Sequence, residues 1–171
     1  MTMAPAGRSR NLDVLAVWFT GVAACALFAG ITLYLAPLEP GVLELQLAFS
    51  PRLFGQIVHL WPAEHLARYR SHFPADFALL LCYGAFGMLL AGRTNLFAHQ
   101  RPAWRAWATW ALPIAAACDA TENAFHLWLT EVPRFGVPWA YVAAASAASL
   151  KWGVLVAYGV TILHALLKDR R

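Results

Sequence analysis

The side chains most able to do chemistry lie in segments otherwise too apolar for them. Asp119-Ala120-Thr121-Glu122-Asn123-Ala124-Phe125-His126 sets two carboxyls, an amide and an imidazole at offsets of 0, 3, 4 and 7. On a helix those offsets share one face, and Thr121 points elsewhere. Lys151 is the one basic side chain besides histidine in the apolar run 138–167, and it shares a face with Tyr158 at i+7 and with Ala144, Ala147 and Ala148. Asp76 precedes Tyr83 by seven residues. This set suits acid/base work, in which one carboxyl gives up a proton and a second group takes one. Asp119, Glu122, His126 and Lys151 are the candidate catalytic residues. Asp76, Tyr83, Asn123, Tyr158 and Glu44 are the candidate ligand-binding residues.

A plainer reading makes the same groups a hydrogen-bonded network that joins helices. Interhelical hydrogen bonds in membranes average below ~1 kcal/mol, so stability is a weak reason to retain several ionisable groups there. Glu122 and His126 at i and i+4, with Asp119 or His65, are too unspecific a pattern to call a metal site. No metal or cofactor is expected, and His164 is at the wrong depth to pair with His126 across a haem. Cys25, Cys82 and Cys118 form no C-x-x-C pair and read as small buried apolar thiols. No nucleophilic triad, phosphate loop or dinucleotide fingerprint occurs.

The elements that carry these residues follow from composition. Apolar residues make up 60% of the 171 and charged residues 13%, about half the charged share of a soluble domain. Four blocks are each long enough for the roughly 20 residues that cross a bilayer core, and backbone groups without water must pair within a helix. The expectation is an all-α, integral membrane four-helix bundle, one domain over 1–171, with helices at 14–38, 73–92, 104–130 and 138–167. Asp119 would lie about ten residues, or roughly 15 Å, from the outer end of its helix, and Lys151 roughly 20 Å from the outer end of the next. Comparable depth makes Asp119 or Glu122 the natural partner of Lys151. Pro113 predicts a bend below Asp119, and Gly84 and Gly87 with the Ala/Ser run 143–149 predict close helix contacts.

An outer segment, 39–72, joins the first two helices. Leu43-Glu44-Leu45-Gln46-Leu47 alternates, which puts Glu44 and Gln46 on one face if the chain is extended. Ser50-Pro51 reads as an N-cap and first turn, and Leu53, Phe54, Ile57, Val58 and Trp61 at helical spacing predict an amphipathic helix on the membrane or across the mouth of the bundle. Residues 63–72, with Glu64, His65, Arg68, Arg70 and His72, read as a solvated interfacial face.

The net charge of +4 forms no stripe with interleaved aromatics, so no nucleic-acid partner is expected. Arg8, Arg10, Arg93, Arg101, Arg105, Lys168, Arg170 and Arg171 fall on one side and Arg52, Arg68, Arg70 and Arg134 on the other. That asymmetry predicts a multi-pass protein of the bacterial inner membrane with both termini cytoplasmic. Arg8 and Arg10 before an apolar run also resemble a signal sequence, but the run stays apolar to Leu35, so an uncleaved span is expected.

The Asp-x-x-Glu-Asn of 119–123, with Asp76 and Tyr83 before it and the Leu43–Leu47 stretch, resembles a group of small four-span bacterial membrane proteins over about residues 43–130. The resemblance implies the four-span architecture and marks Asp76, Asp119, Glu122 and Asn123. It implies no reaction. Three classes of function remain: an enzyme or binder of a lipid-like or isoprenoid molecule, a structural or assembly subunit, and a small proton-coupled carrier, which with four spans and no repeat would need a homo-oligomer. A polar pocket open to the outer leaflet, holding a membrane lipid or isoprenoid-like partner, is the favoured expectation.

Overall fold

The computed structural model describes residues 6–132 and 134–169. The described chain is all-helical: α1 Ala6–Leu35, α2 Val42–Gln46, α3 Pro51–Leu60, α4 Ala63–Ser71, α5 Phe73–Arg93, α6 Pro102–Leu129 and α7 Pro138–Asp169. Three of the helical stretches are long and apolar enough to cross a membrane: Asn11–Leu35, Ala63–Arg93 and Pro138–Lys168. α6 has the length, 28 residues or about 42 Å, but its buried carboxyls, amide and imidazole lower its hydropathy. The arginines at 170 and 171 lie outside the described residues, as do the side chains of Arg8 and Arg10.

The long helices pack in chain order, α1 on α5, α5 on α6 and α6 on α7, and no comparable packing joins α1 to α7 among the described residues. Each contact has a sequence cause. In α6 the buried positions Ala108, Ala111, Ala115, Asp119, Glu122 and His126 repeat at three or four residues along the whole helix. α7 answers with Ala144, Ala148, Lys151, Val154, Tyr158 and Ala165. Alanines on both stripes let the backbones approach and are what allows the long polar side chains to reach across. On α5, a Cβ added at Gly87 would stand 2.7 Å from Leu112 Cβ, so the α5–α6 contact requires glycine there. α6 runs unbroken through Pro113.

One end of the array is capped by the 36–72 segment. Ser50 adopts extended backbone and its Oγ accepts from Leu53 N at 3.3 Å, with Pro51 opening α3. The amphipathic face of α3 then buries Phe54 edge-on against His126, ring centroids 5.4 Å apart. α3 therefore lies across one end of the helix array. Trp61 Nε1 donates to Pro40 O at 2.8 Å and closes the segment on itself.

Three expectations change here. The stretch 42–46 is a helical turn rather than extended chain, because five alternating residues bounded by Gly41 satisfy a helix as readily as a strand. In a helix, residues two apart point away from each other, so Glu44 is exposed while Gln46 is half-buried. α4 is not wholly a solvated face: Tyr69 is 1% exposed and His72 is buried with Phe73. Cys25 is exposed on α1, and Cys82 and Cys118 are half-buried, so none of the three is a fully buried thiol.

Candidate functional site

At the middle of α7, Lys151 Nζ donates to Asp119 Oδ1 at 3.0 Å and to Glu122 Oε2 at 2.7 Å. All three side chains are at least nine-tenths buried. Asp119 and Glu122 are one turn apart on α6, and the ammonium sits between them and α7. Asp119 takes a second donor from α5, Tyr83 OH at 3.1 Å on Oδ2. Both carboxylates are thus held by Lys151 of α7, and with Tyr83 of α5 the trio ties α5, α6 and α7 at one level.

A second pair lies nearer the capped end. Asn123 Nδ2 donates to Asp76 Oδ2 at 2.6 Å, joining α6 to the first turn of α5. A third contact sits above it, where Tyr69 OH meets His126 Nδ1 at 2.6 Å with both residues almost wholly buried. The α6 end itself is satisfied by Arg70, whose Nη1 donates to Leu127 O at 2.9 Å and to Thr130 Oγ1 at 2.8 Å.

Between α1 and α7, where the helix array stays open, runs a groove of about 1050 Å³ with α5 and α6 as its floor. α2 spans its upper end, where Trp152 Nε1 donates to Gln46 Oε1 at 3.1 Å. Gln46, His72, Asp76, Tyr83, Asp119 and Lys151 supply its polar upper part, and Val17, Leu90, Leu112 and Ile162 line its apolar lower part. Tyr158 also lines it. The Tyr158 hydroxyl is buried and has no hydrogen-bond partner among the described residues.

The polar stripe read from 119–126 therefore divides. Asp119 faces the groove beside Lys151, while Glu122, Asn123 and His126 form a layer behind it. Of the candidate residues, Asp76, Tyr83, Asp119, Lys151 and Tyr158 meet at the groove. Glu44 does not: it is exposed and outside the lining, and its helical neighbour Gln46 takes that place. Glu122 backs the ammonium and keeps one oxygen, Oε1, without a partner among the described residues.

Tyr69 and Trp152 were not singled out by sequence, and His72 was read as part of a solvated face. A signal existed for the first, since Leu66, Tyr69 and Phe73 recur at i, i+3 and i+7, but the charges around them conceal it. Among the described residues no three His, Cys, Asp or Glu side chains are grouped to hold a metal.

The chain matches no protein-family model, and neither a curated protein nor a solved structure matches it. Its function must be argued from this site.

Proposed function

We propose that the chain is a polytopic membrane protein in which α1, α5, α6 and α7 form a four-helix bundle, and that the α1–α7 groove binds a lipid-like or isoprenoid molecule for acid/base chemistry. α6 serves as the fourth span because its polar face is turned toward α5 and α7, away from lipid. The charge asymmetry of the loops supports an orientation with the capped end outside and both termini in the cytoplasm.

One observation carries the reading. A groove large enough for a whole ligand has the Asp119–Glu122–Lys151 trio at one end and apolar walls at the other, and its open side faces the surface that four spans would present to lipid. That polarity matches an amphiphile with its head at Asp119 and Lys151 and its chain along α1 and α7. From Lys151 to Ile162 the groove follows α7 for roughly 16 Å. Asp119 is the group placed to exchange a proton with a bound head, because it reaches the groove. Glu122 and Lys151 are placed to balance the charge that changes. His126, sequestered with Tyr69, serves to position α6 under α3.

A structural reading is favoured by one fact, that Asp119, Glu122 and Lys151 pair directly with one another. The two separate by experiment. Asp119→Asn keeps the shape and some of the hydrogen bonding, so on the binding reading the purified variant retains its melting temperature in detergent and loses most of its co-purifying lipid, measured by mass spectrometry. Parallel loss of stability and lipid, restored together in Asp119→Asn with Lys151→Met, would make the trio structural.

A further inference from the structure

The charges around the groove do not balance, and the imbalance selects a head group. Asp76 and Asp119 line it, Glu122 stands directly behind, and Lys151 is the one ammonium among them. Of the other basic groups nearby, Arg70 is turned away to the α6 terminus, and His72, which lines the groove, has one ring nitrogen, Nδ1, engaged with the backbone carbonyl of Tyr69. Lys151 already serves two carboxylates.

Open valences point the same way. Asp76 accepts from the Asn123 side chain through Oδ2, which leaves its other oxygen free among the described side chains. The Tyr158 hydroxyl, on a side chain 3% exposed, lacks a partner in the groove wall. A phosphate or carboxylate head would meet two lining carboxylates and an ammonium already shared. An ammonium head brings only donors and a positive charge, matching carboxylate and phenol oxygens, and the indole of Trp152 borders the same space.

We infer that the groove takes a single-chain amphiphile with a cationic amine head, using Asp76 and Asp119 as counter-charges. The inference rests on the amphiphile reading above and narrows it to one class. Cys25 supplies a built-in reporter, because it is exposed and lines the groove.

The test uses the full chain in phosphatidylcholine nanodiscs with dodecylamine, dodecanol or dodecyl phosphate, reading the rate of Cys25 alkylation by a maleimide through peptide mass spectrometry. Dodecylamine is expected to protect Cys25 at concentrations at least tenfold below dodecanol, and dodecyl phosphate to give no protection. Asp76→Asn is expected to erase the preference for amine over alcohol. Protection by the phosphate or the alcohol equal to that by the amine would overturn the charge assignment and leave the amphiphile reading standing. An amine preference that survives Asp76→Asn would also overturn it, and absence of protection by any of the three would sink both readings. The comparison within the native chain does not depend on any variant folding.

Discussion

Helices α1 and α6 are almost equal in length, 30 and 28 residues, and differ in nearly everything else. From Val14 onward α1 is apolar all round. Among its described side chains only Val17, Ala24 and Leu35 are buried, and it is fastened to α5 by Phe86 against Gly21, with an exposed Arg93–Asp13 pair at one end and Arg68 on the Tyr34 carbonyl at the other. α6 buries a complete stripe between two neighbours and exchanges four side-chain hydrogen bonds with α5 and α7 at the level of the site, from Tyr83, Lys151 twice, and Asn123. A uniformly apolar helix is held by lipid as well as by protein, so it gives up little by standing at the edge of a groove. A helix with ionisable groups must be enclosed. The groove wall and the groove floor thus obey different rules.

If that contrast is right, the largest loss comes from breaking the α6–α7 trio. Lys151→Met leaves Asp119 and Glu122 buried side by side without their ammonium, which should cost about 3–5 kcal/mol. Removing Glu122 with it, as Lys151→Met with Glu122→Gln, should recover much of that. Unfolding by denaturant in mixed micelles measures both. A single mutant as stable as the native chain would show the trio to be dispensable and α6 no different from α1.

The next effect probes how closely the floor is packed. Gly87→Ala places a methyl 2.7 Å from Leu112 Cβ, an atom fixed to the α6 backbone, so the helices must move apart. Overpacking of this kind costs about 1–3 kcal/mol. Because the trio lies on the same interface, the variant should also loosen the Tyr83–Asp119 contact. Unchanged stability would mean that the α5–α6 contact is slack.

How far this was legible beforehand depended on what each residue's surroundings add. The Asp119, Glu122 and Lys151 meeting could be read because helical period and depth from the helix ends are sequence quantities, and the alanine stripes announced the close approach. Ser50-Pro51 announced α3 in the same way. Which side of α6 opens on the groove could not be read, because α1, which forms the far wall, is apolar at every azimuth and gives no sign of its packing face. Hence Asp119 and Glu122 looked equivalent, though only Asp119 lines the groove. Glu44 was misplaced because an alternating five-residue stretch has no period of its own. Tyr69 was passed over because its buried turn sits among the charges of Arg68 and Arg70.

The smallest effect on stability should come from the groove wall, and it is the one that separates binding from folding. Gly21 and Phe86 both line the groove, and a Cβ on residue 21 would stand 2.9 Å from Phe86 Cε2. Unlike Leu112 Cβ, that atom is the far edge of a ring on a rotatable side chain, so it can move without shifting a backbone. α1 can also yield, since among the described residues α5 is the one helix packed closely against it. Gly21→Ala should therefore cost under about 1 kcal/mol, which for a chain of this size moves Tm by about 2–4 °C at most. The groove has less freedom, because a displaced ring narrows or reshapes the channel in which the chain of a bound amphiphile would lie. A misfit of one methyl in an apolar pocket is worth on the order of tenfold in affinity. The expected result is a nearly native melting curve with lipid retention and Cys25 protection reduced about tenfold. Retention equal to the native chain at equal stability would place the ligand away from the α1–α5 wall, and the groove between α1 and α7 would then have to be given up as the binding site.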